Sequence, residues 1–491
     1  MLFLVARLSR FKNTLFITSL FILLTSFNTQ ADELDDFVRA QMNERKIPGI
    51  QLAVIRNGKV VKQNNYGTAN IQDNIAVNEN TVFPLNSITK AFVGVAMMQL
   101  VEQGKVDLNA RLDTYLVDIP DAWKKVTVKQ AFTHISGLPE ILANDGQLLF
   151  TGGQDVAWEQ VKKQPIEFEP TTQFKYNQTN YVLIGKIIET VSGESFVDFI
   201  ARHQFEKVGM PKTKQAGFTH LSGIVPNQAR NYTYYIGNEL TTVQENFPPI
   251  LRAAAGMSST ALEISKWIIA LNNGELLSKQ SIESLWTPAT LKNGETAGFN
   301  DFVNGYAIGW PLIVRDNHIA AIPIGGNRTV FAVYPDDDLS VIILTNLMGG
   351  LPDQFIDEVA GFYIEDMKIE NGFTLSDDLN DLRISLDQNG YDQAVDIATL
   401  LKKNNNISLV EAEVNAWGYK LLHALNKKKA VEIFKLNTFL YPDSANTYDS
   451  LAEGYARIGN TELAIKNYQK VLELDPNNNN APYRLNLLKK K

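Results

Sequence analysis

The sequence contains no cysteine in its 491 residues. Disulfide bonds, a thiol nucleophile and cysteine-ligated metals are therefore excluded, and so is a lipoprotein anchor, which needs a cysteine at the cleavage site. Histidine is scarce, and the five present have no His-Glu-x-x-His or other metal-binding spacing. We therefore expect neither a metal nor another cofactor. The histidines are His134, His203, His220, His318 and His423.

Two catalytic signatures are also missing. No Gly-x-Ser-x-Gly elbow occurs, which argues against an α/β-hydrolase, and no glycine-rich phosphate loop follows a predicted strand, so we infer no nucleotide. Acidic residues outnumber basic ones, and the net charge is −8. An acidic surface argues against nucleic acid or anionic lipid as a partner. The composition is that of a globular chain, with 45% hydrophobic and 20% charged residues.

Residues 1–31 are typical of a secretory signal peptide. Three basic residues come first, and an apolar run from Leu15 to Phe27 follows, interrupted only by Thr and Ser. Cleavage is expected after Ala31, which moves the net charge from −8 to −11 because the segment carries three basic and no acidic residues. A retained membrane anchor is the alternative, although the run is short for a full span. We expect an exported protein, periplasmic or extracellular, with no stable membrane anchor after cleavage.

Strand patterns occur at both ends of the region that follows. Two stretches rich in Val, Ile and Leu, Gly49–Ile55 and Lys59–Tyr66, flank Asn57-Gly58, a strong signal for a tight hairpin. Strand character returns at Thr329–Tyr334 and Leu339–Thr345. The pattern predicts that these strands form one antiparallel sheet, with the intervening helical material packed on it.

One helical segment is apolar on nearly all sides. It runs from Ile88 to Gln103 and stops at Gly104, which predicts a buried helix. The predicted fold class is therefore α/β: an antiparallel sheet flanked by helices, with a helical subdomain. An all-α helical-repeat domain is predicted to follow it.

The C-terminal region carries a repeat. Ala394, Ala430 and Ala464 each follow a short turn, at separations of 36 and 34 residues. The last unit, residues 448–476, matches the aromatic, small and proline positions of the tetratricopeptide pattern, and a plain helical bundle is the alternative. The predicted boundaries are a signal peptide at 1–31, an α/β domain at 32–369, a polar linker at 370–380 and tetratricopeptide-like repeats at 381–491.

A Ser-x-x-Lys tetrad, Ser87 to Lys90, stands at the start of the predicted buried helix. The lysine lies one turn beyond the serine on the same face, so its amine can reach the hydroxyl. Burial lowers the pKa of a lysine, and a neutral amine can help take the serine proton. A second copy, Ser9 to Lys12, lies inside the signal peptide. The context of a hairpin and an apolar helix distinguishes Ser87 from Ser9.

Many short motifs follow one another along the chain. They are Gly49–Val54, Thr81–Phe83, Ser87–Lys90, Leu100–Lys105, Thr133–Leu138, Phe174–Tyr176, Asn180-Tyr181, Leu183–Gly185, Val191–Gly193, Gly305–Trp310 and Gly325-Gly326. In this order they resemble the family of serine hydrolases related to class C β-lactamases and DD-peptidases, over roughly residues 34–366. The resemblance implies a β-lactamase/transpeptidase-like fold for the domain at 32–369, with Ser87 as the nucleophile and Lys90 as its partner.

The second motif of that family is a tyrosine, any residue and an asparagine. Here it is Tyr176-Asn177-Gln178. The resemblance implies that Tyr176 is the general base and that the third residue orients the substrate amide. Gln178 has the same amide chemistry on a longer stem. Asn177 or Asn180 is an alternative source of that amide.

The third motif of the family is a lysine or histidine, one residue and a glycine. This chain has Pro323-Ile324-Gly325-Gly326, so the cation is absent. The ionisation of Tyr176 should then be harder, and recognition of a substrate carboxylate weaker. Arg328 restores positive charge if it points inward. The alternative is that Arg328 is a solvated surface side chain. The backbone N–H groups of Ser87 and Gly326 form the oxyanion hole by resemblance, which does not depend on the missing side chain.

His134 invites interpretation as a catalytic base. In the family that the chain resembles, the segment around it is a structural turn, and we assign His134 that role. The catalytic candidates are Ser87, Lys90 and Tyr176, and the substrate or oxyanion candidates are Gln178, Gly325, Gly326 and Arg328.

Two functional hypotheses follow. The first is an exported serine hydrolase that acts through an acyl-serine intermediate on an amide or ester, with a small molecule or peptide as substrate. The second is a catalytically weak ligand-binding scaffold that uses its C-terminal repeats for protein interaction. The departures from the family pattern at Gln178 and Pro323 motivate the second.

Overall fold

The computed structural model describes two compact units, the first ending at Tyr363 and the second beginning at Ile364. The predicted signal peptide and its cleavage site lie outside the described residues, as do residues 370–374 of the predicted linker. The described residues are 33–143, 148–218, 224–234, 239–243, 245, 247–300, 302–364, 367, 375–405, 407–423, 426–476, 478 and 480–489.

The strands of the first unit belong mainly to one sheet. The strands are β1 Gly49–Arg56, β2 Lys59–Asn70, β3 Ile75–Ala76, β4 Phe83–Pro84, β5 Tyr232–Thr233, β6 Thr241–Thr242, β7 Ser258–Ser259, β8 Gly305–Tyr306, β9 Pro311–Ile313, β10 Ala320–Ala321, β11 Ile324–Gly325, β12 Thr329–Tyr334, β13 Leu339–Thr345 and β14 Leu347–Met348. The order of the main sheet is β3-β2-β1-β13-β12-β10-β9-β8, with β11 paired to β12. Two small sheets are also present, β14-β5-β6 and β4-β7.

The main sheet joins the two ends of the unit, as the sequence predicted. β1 pairs antiparallel with β13, in a register that sets Ile50 opposite Thr345, and β13 pairs antiparallel with β12. The turn between β1 and β2 has positive φ at Asn57 and Gly58, 50° and 68°, the backbone that a two-residue hairpin of this hand requires. All residues of β12 and β13 are buried, because the sheet is covered by helices.

Helices occupy the long segment between the two hairpins. They are α1 at 33–45, α2 Thr89–Glu102, α3 Val128–Phe132, α4 Gln154–Val161, α5 Gln178–Ser192, α6 Phe196–Ile200, α7 Pro211–Ala216, α8 Arg252–Ala255, α9 Ala261–Asn272, α10 Lys279–Leu285 and α11 Ile356–Gly361. The second unit contains α12 Asp377–Asn389, α13 Ala394–Asn405, α14 Glu411–His423, α15 Lys427–Leu440, α16 Ala445–Arg457, α17 Thr461–Leu474 and α18 Asn480–Lys489.

Helix α2 is the centre of the first core. Its residues from Thr89 to Leu100 are all buried, as its uniformly apolar sequence predicted. Phe92 stacks on Trp267 of α9 with ring centroids 4.0 Å apart. Trp267 also stacks with Trp310, with ring centroids 6.0 Å apart. This aromatic packing fixes the helix that carries the Ser-x-x-Lys lysine.

The second unit is helical throughout its described secondary structure, and it has its own apolar cores. Ala430 of α15 and Ala464 of α17 are fully buried, and Ala394 of α13 is nearly so. The predicted fold class, an antiparallel sheet flanked by helices followed by a helical region, is confirmed. No helix within the described ranges is long and apolar enough to cross a membrane.

A substitution at Gly309 tests how tightly α2 is packed. Gly309 has φ +84°, and a Cβ there would lie 2.3 Å from the backbone oxygen of Lys90, whereas Gly193 has φ +77° and open space around it. Gly309→Ala should destabilise the first unit by roughly 2 kcal/mol or more beyond the control Gly193→Ala, which pays only the left-handed backbone cost. Urea unfolding followed by tryptophan fluorescence measures both, and equal shifts in midpoint would contradict this packing.

Candidate active site

Ser87 lies in a short 3-10 turn, Asn86–Ile88, that leads directly into α2. The chain reaches it through β4, which pairs with β7, and through a hydrogen bond from the Leu85 N–H to the Met257 carbonyl, 2.8 Å long. Asn86 has φ 47°, so the backbone bends sharply just before the serine. Ser87 is partly exposed, although its neighbours on both sides are buried. A partly exposed hydroxyl on a rigid support suits a nucleophile.

The amine of Lys90 lies one helical turn beyond Ser87. Its Nζ is 3.3 Å from Ser87 Oγ, 2.9 Å from Gln178 Oε1 and 2.8 Å from the Ala254 carbonyl oxygen. The residue is 1% exposed. Burial lowers the pKa of Lys90 to about 7, against the opposing effect of the Glu140 carboxylate. A large fraction of this lysine is therefore neutral near pH 7, the form that can accept a proton.

Tyr176 lies beside both the lysine and the serine. Its ring centroid is 4.7 Å from Lys90 Nζ. Burial raises the pKa of the Tyr176 hydroxyl far above its usual range, although hydrogen bonds with Ser87 and Gln178 lower it. The tyrosine is therefore protonated at neutral pH and can relay a proton between Ser87 and its neighbours.

Three amides lie in or near the second motif, Asn177, Gln178 and Asn180. Gln178 is the one that reaches Lys90. Asn177 caps α5, accepting from the Asn180 N–H at 3.1 Å, and donates to the Leu138 carbonyl at 2.7 Å. Asn180 accepts from the Ser136 hydroxyl at 2.7 Å. Both asparagines thus hold α5 against the segment 134–138, and the longer glutamine stem extends into the site.

The two glycines of the third motif pack against the residues that precede the nucleophile. A Cβ at Gly325 would lie 2.0 Å from the Leu85 carbonyl oxygen, and one at Gly326, which has φ +55°, would lie 2.9 Å from Cγ of Asn86. Only glycine permits this approach of β11 to the turn that carries Ser87. Pro323 is buried just before β11 and places no charge there.

Arg328 points inward and is fully buried. Its Nε and Nη2 donate to Asn86 Oδ1 at 3.1 and 2.7 Å, and Nη2 also forms an ion pair with Glu245. The interpretation of Arg328 as a solvated surface side chain is therefore wrong. Glu245 compensates its charge, and the guanidinium donates to the side chain of Asn86, the residue just before the nucleophile.

Two residues outside the sequence-derived set of candidates support the second motif. His134 accepts from the Lys175 N–H through its carbonyl at 2.9 Å and from the Asn177 N–H through Nδ1 at 3.0 Å, and its ring centroid is 4.4 Å from that of Tyr176. Burial, and then the charge of Lys90, lower the pKa of His134 well below its usual value. The neutral ring therefore accepts at Nδ1 from the second motif and packs against Tyr176.

Glu140 is the second such residue. It accepts from the Gln178 N–H at 2.8 Å and from the Ile141 N–H at 2.7 Å. Burial raises the pKa of its carboxyl, and those backbone donors oppose the shift. The only local signal for it is weak, an acid two residues after a glycine-leucine motif, since nothing nearby in the sequence shows that it meets α5.

An aromatic wall flanks the tyrosine. Phe299 is 45% exposed, and its ring centroid is 5.1 Å from that of Tyr176 and 5.9 Å from that of Tyr306. Phe174 packs behind it at 5.4 Å. An exposed aromatic next to a reactive group favours apolar substrate groups.

Within the described part of the chain, no cluster of three or more carboxylate or imidazole side chains could hold a metal ion.

A family model described as "Beta-lactamase" matches residues 34–363, two thirds of the sequence. The chain belongs to the β-lactamase family. This β-lactamase-family chain is 27% identical over 311 residues to penicillin-binding protein 4* of Bacillus subtilis, an alignment that spans 59% of this chain and 66% of that protein. It spans between 58% and 66% of the length of the first curated relatives that it matches.

Solved structures agree on the fold of this β-lactamase-family chain. EstCE1, a hydrolase with promiscuous acyltransferase activity, superposes with a TM-score of 0.58 at 18% identity, over 69% of this chain and 100% of that one. The D-amino acid amidase of Ochrobactrum anthropi SV3 superposes with a TM-score of 0.57 at 20% identity, over 68% of this chain and 99% of that one. The β-lactamase-related family predicted from the motif order is confirmed by the family model, and the solved structures confirm the fold.

The pKa of Lys90 predicts how the serine reacts with pH. Since the ammonium form cannot accept a proton, the rate of Ser87 labelling by a fluorophosphonate should fall about tenfold per pH unit below a midpoint of about 7 and level off above it. Lys90→Met should abolish labelling, whereas Lys186→Met, which removes a lysine above the Trp158 ring, should not. A rate that keeps climbing above about pH 9 would instead assign the base to Tyr176.

Proposed function

We propose that the protein is an exported serine hydrolase that forms an acyl-serine intermediate with an uncharged ester or amide. The observation that carries the proposal is the position of the Lys90 amine, 3.3 Å from Ser87 Oγ, with Tyr176 beside it. The pKa of this amine is about 7, so much of it is neutral near pH 7. A serine and a base within this reach form the arrangement that nucleophilic catalysis requires.

The contacts of Lys90 indicate where the serine proton goes. A neutral amine has two hydrogens and one lone pair. The two shorter contacts, to the Ala254 carbonyl and to Gln178 Oε1 at 2.8 and 2.9 Å, are with acceptors and use both hydrogens. The lone pair is then left for the Ser87 hydroxyl. Gln178 therefore retains a function in the site as the acceptor that orients the amine.

Acylation follows from this arrangement. Ser87 Oγ attacks the substrate carbonyl while its proton passes to Lys90, directly or through the Tyr176 hydroxyl. The negative oxygen of the tetrahedral intermediate is held by the backbone N–H groups of Ser87 and Gly326. Gly325 and Gly326 pack against Leu85 and Asn86, the two residues just before the serine. The leaving group takes the proton as the carbon–oxygen or carbon–nitrogen bond breaks, and a water molecule then hydrolyses the acyl-serine by the same route.

The preference for uncharged substrates rests on the third motif. Pro323 stands where relatives in the resembling family carry a cation, and Arg328 is neutralised by Glu245. Phe299 and Tyr306 add apolar surface beside Tyr176. Two proteins of the same fold, EstCE1 and the Ochrobactrum amidase, are described as a hydrolase and a D-amino acid amidase. Within the family, the tyrosine of the second motif favours a class C relationship.

The remaining proposals concern the two ends of the chain. We propose that residues 1–31 direct export to the periplasm or beyond and are removed after Ala31. N-terminal sequencing of the exported protein should then begin at Asp32. We also propose that residues 381–491 form tetratricopeptide-like repeats, because Ala394, Ala430 and Ala464 recur at buried helix positions, and that these repeats bind a protein partner.

The scaffold hypothesis and the enzyme hypothesis differ at Ser87. Wild-type protein should give a covalent fluorophosphonate adduct, and Ser87→Ala should lose both the adduct and the hydrolysis of neutral esters or amides by roughly 10³-fold or more. Intact-mass analysis and a substrate panel measure these effects, with Ser192→Ala as the control. An inactive wild type, with partner binding unchanged in Ser87→Ala, would favour the scaffold.

Pro323 offers a gain-of-function test. Its carbonyl accepts from the Phe331 N–H at 3.2 Å, a bond that a substitution preserves. Pro323→His should raise the rate of acylation by benzylpenicillin relative to a neutral ester about tenfold at slightly acidic pH, because an imidazolium attracts the substrate carboxylate. Pro335→His, in the turn before β13, is the matched control. An unchanged ratio would show that the third-motif charge does not set the preference.

A further inference from the structure

Asn86 is an unusual residue to precede a nucleophile. Its φ of 47° lies in the left-handed region, which strains most non-glycine residues, although asparagine tolerates it better than most. Together with ψ, this angle orients the peptide group that carries the N–H of the next residue, Ser87. A backbone held in this conformation needs support from its surroundings.

Arg328 supplies that support through two donors to a single atom. Nε and Nη2 reach Asn86 Oδ1 at 3.1 and 2.7 Å, so the amide cannot rotate without losing both bonds. The other side of the amide, Nδ2, donates to Glu245 Oε1 at 3.3 Å. Glu245 also pairs with the guanidinium, which compensates a charge that is completely buried.

The same arginine is tied to the opposite side of the oxyanion hole. Its backbone N–H donates to the Gly325 carbonyl at 3.0 Å, closing the turn that contains Gly326, and its carbonyl accepts from the Thr345 N–H of β13 at 2.9 Å. Gly326 in turn lies against the Asn86 side chain. One residue thus connects the main sheet, the glycine turn and the residue before the nucleophile.

We propose that Arg328 is a positioning residue that sets the distance and direction of the two oxyanion donors, the N–H groups of Ser87 and Gly326, with Asn86 as the part that it holds and Glu245 as its counter-ion. The proposal rests on the acyl-serine function proposed above. It differs from a role in substrate binding, because the guanidinium is buried and neutralised.

The test exchanges the amide of Asn86 with the carboxylate of Glu245. The exchange keeps the shape of the network and its total charge. Asn86→Asp alone puts a second carboxylate beside Glu245, and the two compete for one guanidinium. Adding Glu245→Gln restores a set in which the carboxylate now at position 86 accepts from Arg328 and the amide now at position 245 donates to that carboxylate. The variant Arg328→Met/Glu245→Gln removes the network without leaving an unpaired buried charge.

We expect Asn86→Asp and Arg328→Met/Glu245→Gln to lower kcat roughly 10- to 100-fold with KM within about threefold, since a small misplacement of the donors is felt only in the transition state. Affinity for a boronic acid, whose tetrahedral adduct places an oxygen in the hole, should fall in parallel. Asn86→Asp/Glu245→Gln should recover to within about threefold of wild type.

Arg315→Lys is the matched control. The Arg315 side chain is 7% exposed and pairs with Asp357, whose carboxylate accepts from Tyr334, and the variant should lose thermal stability with kcat retained. Wild-type kcat in a folded Arg328→Met/Glu245→Gln would overturn the proposal, and so would failure of the exchange to restore kcat in Asn86→Asp. A wild type without turnover or adduct would instead remove the acyl-serine function itself, so the two failures are distinguishable.

Discussion

The site depends on the burial of one amine. Lys90 is almost completely removed from water, and that desolvation brings its pKa close to neutrality. The polar contacts of the amine are few and directional: the Ala254 carbonyl, the Gln178 amide and the Ser87 hydroxyl. The apolar sequence of α2 and the aromatic packing around Phe92 produce this burial, so the chemistry of the lysine is a property of the core.

A second constraint is the backbone around the nucleophile. Several residues with positive φ lie within this region: Asn86 before the serine, His134 against the tyrosine, and Gly309 and Gly326 on the surrounding loops. Each bends the chain where an ordinary conformation would carry it away from the site. The two glycines adopt this conformation without strain. Asn86 does not, and the buried and neutralised Arg328 hydrogen-bonds its side chain. The cation near the third motif, Arg328, is therefore directed at Asn86 and Glu245, and its charge is not placed at the edge of β11.

The sequence by itself determined the elements with strong local signals. The predicted strands at 329–334 and 339–345 match the observed ones, since runs of β-branched and apolar residues bounded by turn residues are local properties. The Asn57-Gly58 turn likewise has the backbone that its two residues predicted. Motif order also brought Ser87, Lys90 and Tyr176 together as candidates, before any geometry was known.

Only the tertiary structure decided which of the neighbouring polar side chains enter the site. Gln178 reaches Lys90 where its neighbouring asparagines do not, and Arg328 turns inward to Asn86, 242 positions earlier in the chain. The carboxylate of Glu140 had only a weak local signal, and that of Glu245 had none. Their roles depend on contacts between distant segments, and on the loss of water that those contacts cause, neither of which is encoded in the spacing of residues along one element.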